Sequence, residues 1–174
     1  MNYAKIIKCD IANGIGVRVT LFVSGCTHAC PGCFNKEAWD FEFGYPFTEA
    51  TESELLQYLE PSYITGLTLL GGEPMEPGNQ RALLPFLKRM KEVYPQKTVW
   101  CFSGYTFEEL TEHSRARTEI TDKLLGLIDV LVDGEFKEEL KDIGLRFKGS
   151  ENQRLIDLKS TFKQGKIVIW NEKE

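Results

Sequence analysis

The chain has 174 residues, of which 42% are hydrophobic and 27% are charged, and this length suits one domain with a buried core. Its formal net charge of −5 disfavours a dedicated nucleic-acid-binding protein, which usually carries a surplus of basic residues. No apolar run reaches the length of a membrane-spanning helix, and the N-terminus has no signal core, so we expect a cytoplasmic protein. Without repeats or linkers, residues 1–174 are predicted to form a single domain.

The first predicted elements lead into the most unusual part of the sequence. Val17–Val23 is β-rich and apolar, which predicts a buried strand, within which we interpret Arg18 as a solvated residue. Residues 51–54 have the Ser/Thr-x-x-Glu form of a capping box, and leucines at helical spacing follow in residues 55–59. Residues 64–70 predict a second buried strand that ends in two glycines.

The middle of the chain continues the alternation of helices and strands. Apolar residues at positions 83–94 repeat like one face of a helix, and Pro85 predicts that this helix begins or kinks there. Thr98–Phe102 is predicted to form a strand, and residues 106–109 have the form of another capping box. A further strand is predicted at residues 128–132.

Two weaker strand signals, at residues 155–158 and 167–170, complete the pattern. Strands that alternate with helices predict an α/β fold, in the form of a single-domain, partial (open) β/α barrel of mostly parallel strands. In such folds ligands gather at the carboxyl ends of the strands. Four polar or glycine-rich segments follow predicted strands, at residues 26–33, 71–74, 103–105 and 133–134. Because all four lie at the carboxyl ends of strands, they predict a single active site.

Three of the five cysteines crowd into one loop, at Cys26, Cys30 and Cys33. An odd number of clustered thiols disfavours a disulfide scaffold and favours a metal site. Soft thiolates select iron–sulfur clusters, zinc or copper(I). A cubane of four irons needs four ligands, of which this loop supplies three.

Zinc is the alternative, since a structural zinc ion needs a fourth protein ligand to close its tetrahedron. His28, Cys9 or Cys101 could supply it. Otherwise His28 is an ordinary loop residue, and Cys9 and Cys101 are interpreted as buried small residues, because free cysteine packs as a hydrophobe.

A second motif, Gly71-Gly72-Glu73-Pro74, follows the strand at residues 64–70. On its own it predicts a turn, in which glycine allows unusual φ values. It is not a P-loop, because no Gly-Lys-Ser/Thr follows. Glycines also allow a close approach of backbone to a ligand, and Glu73 could face a cation such as an amino group.

Together, the Cys-x-x-x-Cys-x-x-Cys loop and the Gly-Gly-Glu-Pro motif resemble those of radical S-adenosylmethionine enzymes. The resemblance implies that Cys26, Cys30 and Cys33 bind three irons of a [4Fe–4S] cluster and that S-adenosylmethionine chelates the fourth. It also implies that residues 71–74 line the site of the methionine part, with backbone groups or Glu73 meeting the amine. One-electron reduction of the cluster then cleaves the sulfonium and gives a 5′-deoxyadenosyl radical.

Further segments resemble the activating proteins of anaerobic ribonucleoside-triphosphate reductases. They are residues 10–14, 16–18, 22–26, 33–35, 38–41, 100–105, 129–136 and 149–157. This resemblance implies an oxidoreductase that generates a glycyl radical on the partner reductase, with electrons from a donor such as a flavodoxin. The alternatives are a radical S-adenosylmethionine enzyme for another glycyl-radical partner or a small molecule, and a non-catalytic zinc or iron–sulfur module.

Several other residues are open to two interpretations. Ser103 could touch the adenosyl part or form a strand-end turn, and Asp133 could bind the ligand or cap a turn. Residues 152–154, Asn-Gln-Arg, form a polar cluster that either faces a partner or is structural. Trp39 is interpreted as a packing residue, and the acidic residues 135–142 as a solvated helix face.

Overall fold

The structure is a computed structural model that describes residues 1–171, within which seven strands form one sheet with five α-helices. The strands are β1 (Asn2–Asp10), β2 (Val17–Val23), β3 (Tyr45–Pro46), β4 (Ile64–Gly71), β5 (Thr98–Phe102), β6 (Val130–Asp133) and β7 (Arg154–Asp157). The helices are α1 (Glu49–Leu59), α2 (Pro77–Val93), α3 (Phe107–Thr111), α4 (Thr121–Leu125) and α5 (Leu158–Gln164).

The strand order is β3-β1-β2-β4-β5-β6-β7, and the four central strands β2, β4, β5 and β6 are parallel. Antiparallel strands flank them, β1 and β3 on one side and β7 on the other. The α/β class is therefore confirmed, while the parallel arrangement holds for the centre of the sheet. The sheet does not close into a barrel, and the partial barrel stays a prediction.

One face of the sheet packs against the helices. Alternation of side chains along each strand sends Leu21, Leu69, Cys101 and Leu131 into a core shared with the leucines of α1 and α2. Cys101 is thus buried as expected, on the helical side. Cys9 is exposed on β1, so its interpretation as a buried residue is wrong.

The opposite face carries a smaller aromatic cluster. The ring of Trp100 on β5 makes edge-to-face contacts with Phe147 and Trp170, and its centroid is 5.2 Å from that of Phe147 and 5.0 Å from that of Trp170. Trp100 also packs beside Val130 and Val132. Later loops and residues near the described end of the chain therefore cover part of this face.

Arg18 is fully buried on this second face, so its interpretation as a solvated residue is wrong. Its guanidinium donates to the hydroxyls of Thr68 at 2.7 Å and Thr98 at 3.0 Å. It also donates to the Leu67 carbonyl at 2.7 Å and lies over the ring of Trp100. Burial lowers the pKa of Arg18 to about 10. Hydroxyls and carbonyls of neighbouring strands replace the water that a surface arginine would bind.

The start of α1 lies earlier than predicted. The N-cap is Thr48, in extended conformation, and its hydroxyl accepts a hydrogen bond from Thr51 N. Thr51 supplies the reciprocal contact that glutamate provides in the Ser/Thr-x-x-Glu pattern, so the box predicted at residues 51–54 is wrong by one turn. The second predicted box, Thr106 with Glu109, is confirmed at the start of α3.

Helix α2 does not begin at Pro85, as one of the two predictions for this residue had it. It begins at Pro77, where the missing N–H costs nothing because the first turn has no intrahelical acceptor. Pro85 lies inside the helix on its exposed face, where water can replace the lost hydrogen bond. The strand predicted at residues 167–170 is reduced to a single bridge between Ile169 and Ile156.

Candidate active site

A cavity of about 360 Å³ lies where the central strands end. Most of the residues selected from the sequence line it: Cys26, Cys30, Cys33, Gly71, Gly72, Glu73 and Ser103. They come from the segments that follow β2, β4 and β5, so parallel strands bring together residues that are far apart in the chain. Pro74 is buried without lining this cavity, and Asp133 lines a neighbouring groove.

The cysteine loop is held by the segment that follows it. Gly25 N donates to the Ala38 carbonyl at 2.8 Å, and Cys26 N donates to the Trp39 carbonyl at 3.1 Å. Cys33 N closes a turn on the Cys30 carbonyl at 3.2 Å. The loop therefore has a defined backbone path, and its three cysteines all line the cavity.

The thiols are electrostatically costly to ionise without a metal. Burial raises the pKa of Cys26 to about 11, and burial together with the nearby Glu135 carboxylate raises the pKa of Cys30 to about 12. Metal ligation requires thiolates, so binding of a metal at this loop releases protons.

Position 72 requires glycine because its backbone packs closely against the backbone at Gly25 and at Ala38. Gly72 N donates to the Val23 carbonyl at 2.7 Å, and Glu73 N donates to the Gly25 carbonyl at 2.8 Å. A Cβ atom on Gly72 would lie 2.6 Å from the Gly25 carbonyl oxygen and 2.7 Å from that of Ala38. The Gly-Gly-Glu turn is thus bonded directly to the cysteine loop.

The carboxylate of Glu73 is buried and already bound by protein donors. Its Oε1 accepts from Met75 N at 2.8 Å and from the Ser103 hydroxyl at 2.9 Å, and its Oε2 accepts from Gly104 N at 2.7 Å. Glu73 and Ser103 therefore connect the ends of β4 and β5 and hold this edge of the cavity.

His28 lies between two carboxylates. Its Nε2 is 3.4 Å from Glu73 Oε2, and its Nδ1 is 3.7 Å from Glu135 Oε1. Burial alone would lower the pKa of His28, but the two carboxylates outweigh it and raise that pKa. The 3.4 Å contact lacks the alignment of a hydrogen bond, so the buried Nε2 is unpaired among residues 1–171.

Glu135 is a site residue that the sequence did not reveal. It lies beside the cysteine loop, with Oε1 3.5 Å from the Cys30 sulfur. The acidic residues 135–142 are mostly exposed, as predicted, but only Glu138–Leu140 forms a short 3₁₀ turn, so the predicted helix is wrong. The sequence around Glu135 does not distinguish it from its acidic neighbours. Glu135 lies beside the cysteine loop because it follows the end of β6, and this placement depends on the order of the strands in the sheet.

Asp133 is buried at the end of β6 and is fully engaged by protein groups. Its Oδ1 accepts from Arg154 Nε at 3.0 Å, and its Oδ2 accepts from Phe107 N at 2.7 Å. Hydrogen bonds to Asp133 and Glu108 raise the pKa of Arg154.

The backbone pairing of β6 with β7 ends at Asp133 and Arg154. Beyond this pair, the side chains of residues 152–154 continue to connect the two segments. The Gln153 amide donates to the Gly134 carbonyl at 2.8 Å, and the Asn152 amide donates to the Glu135 carbonyl at 2.8 Å. The Gln153 oxygen also accepts from Gly149 N at 2.8 Å. We call these contacts the side-chain ladder, and they show that the Asn-Gln-Arg cluster has a structural role.

The cysteine residues outside the loop are separated from the cavity. Neither Cys9 nor Cys101 is among its lining residues. Within residues 1–171, no three His, Cys, Asp or Glu side chains converge on one point where a single metal ion could be held. A zinc ion needs its donors about 2.0–2.3 Å from one centre, whereas a cubane spreads its thiolate ligands over different irons. Neither of the two cysteines that could complete a zinc site therefore lies beside the other three in the cavity.

The cavity also has the unpaired polar groups expected of a ligand site. Besides His28 Nε2, the indole Nε1 of Trp39 is buried without a hydrogen-bond partner among the described residues, and both residues line the cavity. Buried polar groups in proteins are normally paired. Three thiols, glycine backbone and unpaired polar atoms therefore fit an iron–sulfur cluster with a polar organic ligand beside it.

Comparisons with known proteins agree with this chemistry. A family model described as a 4Fe-4S single cluster domain matches residues 12–156. The anaerobic ribonucleoside-triphosphate reductase-activating protein of Pasteurella multocida is 48% identical over 155 residues, which cover 88% of this chain and 95% of that protein. The proteins of the same name from Escherichia coli K12 and Enterobacteria phage T4 are 43% and 40% identical, over 96% and 93% of their lengths.

None of the helices within residues 1–171 has the length and apolar character needed to cross a bilayer. The match of the family model to residues 12–156 includes the cysteine loop, the Gly-Gly-Glu turn and the side-chain ladder. The chain therefore belongs to the family of anaerobic ribonucleoside-triphosphate reductase-activating proteins, which the sequence resemblance predicted.

Proposed function

We propose that this chain is an activase that generates a glycyl radical on an anaerobic ribonucleoside-triphosphate reductase. The observation that carries the proposal is the meeting of three thiols and the Gly-Gly-Glu turn in one cavity. Cys26, Cys30 and Cys33 would hold a [4Fe–4S] cluster, and the family match to a 4Fe-4S single cluster domain supports this assignment. With S-adenosylmethionine bound, the reduced cluster supplies a 5′-deoxyadenosyl radical that abstracts hydrogen from a glycine of the partner.

In this proposal the residues of the chain bind and orient S-adenosylmethionine and shield it from solvent. The glycine backbone at positions 71 and 72 would accept hydrogen bonds from the amine of the methionine part. Glu73 would act indirectly, because its oxygens are bound to Met75, Ser103 and Gly104. Ser103 would position Glu73 at the edge of the ligand site. Asp133 would support the wall through Arg154.

The proposed substrate is a segment of a partner protein. We propose that residues 1–174 form one radical S-adenosylmethionine domain with the curvature of a partial barrel, and that the partner covers the cavity and excludes water. A glycine is a reasonable target because it has no side chain to block close approach. A flavodoxin-like protein is the proposed electron donor.

The test uses partner reductase labelled with α-deuterated glycine. Reduced activase, S-adenosylmethionine and this reductase should give deuterium in 5′-deoxyadenosine and a glycyl radical signal on the reductase. In the same assay Cys30→Ala should give neither product, whereas Cys9→Ala should behave as wild type, because Cys9 lies outside the cavity.

The outcomes separate the alternatives. Cleavage of S-adenosylmethionine without deuterium transfer would leave a radical enzyme with another substrate. Absence of cleavage by a fully loaded, reduced protein would leave a non-catalytic iron–sulfur module.

A further inference from the structure

Trp39 carries an unpaired polar atom in the candidate site. Its indole Nε1 is buried and has no hydrogen-bond partner among residues 1–171, and the residue lines the main cavity. An indole N–H can only donate, so the missing partner must be an acceptor. An unpaired buried donor is unfavourable, so we expect its acceptor in the cavity that Trp39 lines.

The backbone of Trp39 is fixed, so the indole has a defined place. Trp39 ends a short 3₁₀ turn, Lys36–Trp39, and its carbonyl accepts from Cys26 N at 3.1 Å. The preceding carbonyl, of Ala38, accepts from Gly25 N at 2.8 Å. The turn is thus bonded to the first residues of the cysteine loop.

The same turn touches the Gly-Gly-Glu segment. The Ala38 carbonyl oxygen would lie 2.7 Å from a Cβ atom on Gly72, and Gly25 bonds to both segments. Trp39 therefore lies at the junction of the proposed cluster ligands and the proposed methionine site. Packing against apolar neighbours alone would need no N–H at this position.

We infer that the Trp39 indole N–H donates a hydrogen bond to the carboxylate of bound S-adenosylmethionine, an inference that rests on the proposed function. The methionine part offers one acceptor group, its carboxylate, because an amine whose lone pair binds iron and a cationic sulfonium cannot accept a hydrogen bond. A hydrogen bond to a charged acceptor is stronger than one between neutral groups. Trp39 thereby becomes a ligand-contacting residue that orients the carboxylate.

The test replaces Trp39 by 3-benzothienylalanine, which keeps the shape of the bicyclic ring and exchanges N–H for sulfur. Trp39→Phe is a second variant that needs only natural amino acids. The matched control is Trp170→Phe, because Trp170 packs on Trp100 and does not line the main cavity. Each protein is reconstituted anaerobically, its iron content is determined, and S-adenosylmethionine binding is measured from the change in the reduced-cluster electron paramagnetic resonance spectrum.

We expect full iron content in all proteins and S-adenosylmethionine binding weakened about 10- to 100-fold in the benzothienyl protein. Trp170→Phe should bind within twofold of wild type. Decarboxylated S-adenosylmethionine, which lacks the acceptor, should bind to wild type and to the benzothienyl protein with the same affinity.

Three results would overturn the inference. The first is unchanged S-adenosylmethionine affinity in the benzothienyl protein. The second is loss of iron without loss of affinity, which would put Trp39 on the cluster. The third is an equal weakening for the decarboxylated analogue, which would assign the N–H to another ligand atom. A wild-type cluster spectrum that does not respond to S-adenosylmethionine would instead contradict the proposed function.

Discussion

Gly72 shows how a single missing side chain supports the candidate site. The sequence suggested that glycine here leaves room for a ligand, but the atoms nearest to its absent Cβ are the carbonyl oxygens of Gly25 and Ala38. The close approach is between protein segments. Any side chain at this position must therefore displace the cysteine loop.

Gly72→Ala should destabilise the protein by about 1–3 kcal/mol, because the added methyl group overlaps two backbone oxygens. Iron content after reconstitution should fall along with the melting temperature, since the displaced loop carries the cluster ligands. Gly78→Ala is the control, because a Cβ atom there meets nothing within 4 Å. Equal iron content in both variants would contradict the proposed link between the two loops.

Residue types at the site were predictable from the sequence, whereas their partners were not. Cys26 and Gly71 belong to motifs with fixed spacing, so the sequence alone identifies them. Glu73 was expected to face a ligand, yet its hydrogen bonds come from the end of another strand, at Ser103 and Gly104. Such contacts depend on strand order, which local patterns do not contain.

At the scale of elements, the side-chain ladder decides how β6 and β7 form a wall of the cavity. Gln153 uses both ends of its amide, accepting from Gly149 N and donating to the Gly134 carbonyl. Gly134, Gly149 and Gln153 all line the cavity. One amide therefore joins two parts of the wall.

Gln153→Ala should release this wall without unfolding the sheet. The substitution removes the hydrogen bonds of this amide to Gly149 N, Ser150 N and the Gly134 carbonyl, so local opening should become easier by about 1–2 kcal/mol. Hydrogen exchange followed by mass spectrometry should show faster exchange in residues 145–150, with strands β4 and β5 unchanged. Gln164→Ala, at the exposed end of α5, serves as the reference. Unaltered exchange in residues 145–150 would show that other contacts hold the wall.

The central strands were predicted almost to the residue, because buried parallel strands are short apolar runs. Val17–Val23 and Thr98–Phe102 have the predicted bounds. The antiparallel strands β1 and β3, which flank the central strands on one side, were missed, since partial exposure leaves them without such a run. The start of helix α2 was placed too late, because a proline often marks the beginning of a helix. Pro85 is tolerated inside α2 because it lies on the exposed face, where water can replace the lost hydrogen bond.

On the scale of the whole molecule, Asp129 connects the sheet to the helical layer. Its Oδ2 accepts from Val99 N at 2.7 Å and from Lys91 Nζ on α2 at 2.8 Å, and Lys159 of α5 pairs with Oδ1. Burial alone would raise the pKa of Asp129, but these hydrogen bonds outweigh it and lower that pKa.

A lowered carboxyl pKa stabilises the fold above the unfolded value, near 3.9, and this stabilisation is lost as the pH falls through the folded-state pKa. Asp129→Asn should therefore lower the free energy of unfolding at pH 7 by roughly 1–3 kcal/mol and flatten its decline below about pH 4. Urea unfolding of the metal-free protein, followed by tryptophan fluorescence, measures both effects.

Asp122→Asn is the comparison, because the pKa of Asp122 is also lowered, by Arg117, in an exposed pair. Solvent screening makes such pairs weak, so its effect should be under about 1 kcal/mol. Similar acid profiles for the two variants would rule out a special role of Asp129.

The alternation along β5 has a consequence for damage by oxygen. Cys101 faces the helical layer, whereas the three thiols of the cysteine loop line the cavity. If air destroys the cluster, the released thiols can react with one another, but the sheet keeps Cys101 from exchanging with them. Oxidation is thereby confined to one loop, and a reductant that enters the cavity can return these cysteines to thiols, ready for reassembly of a cluster from iron and sulfide, without opening the core.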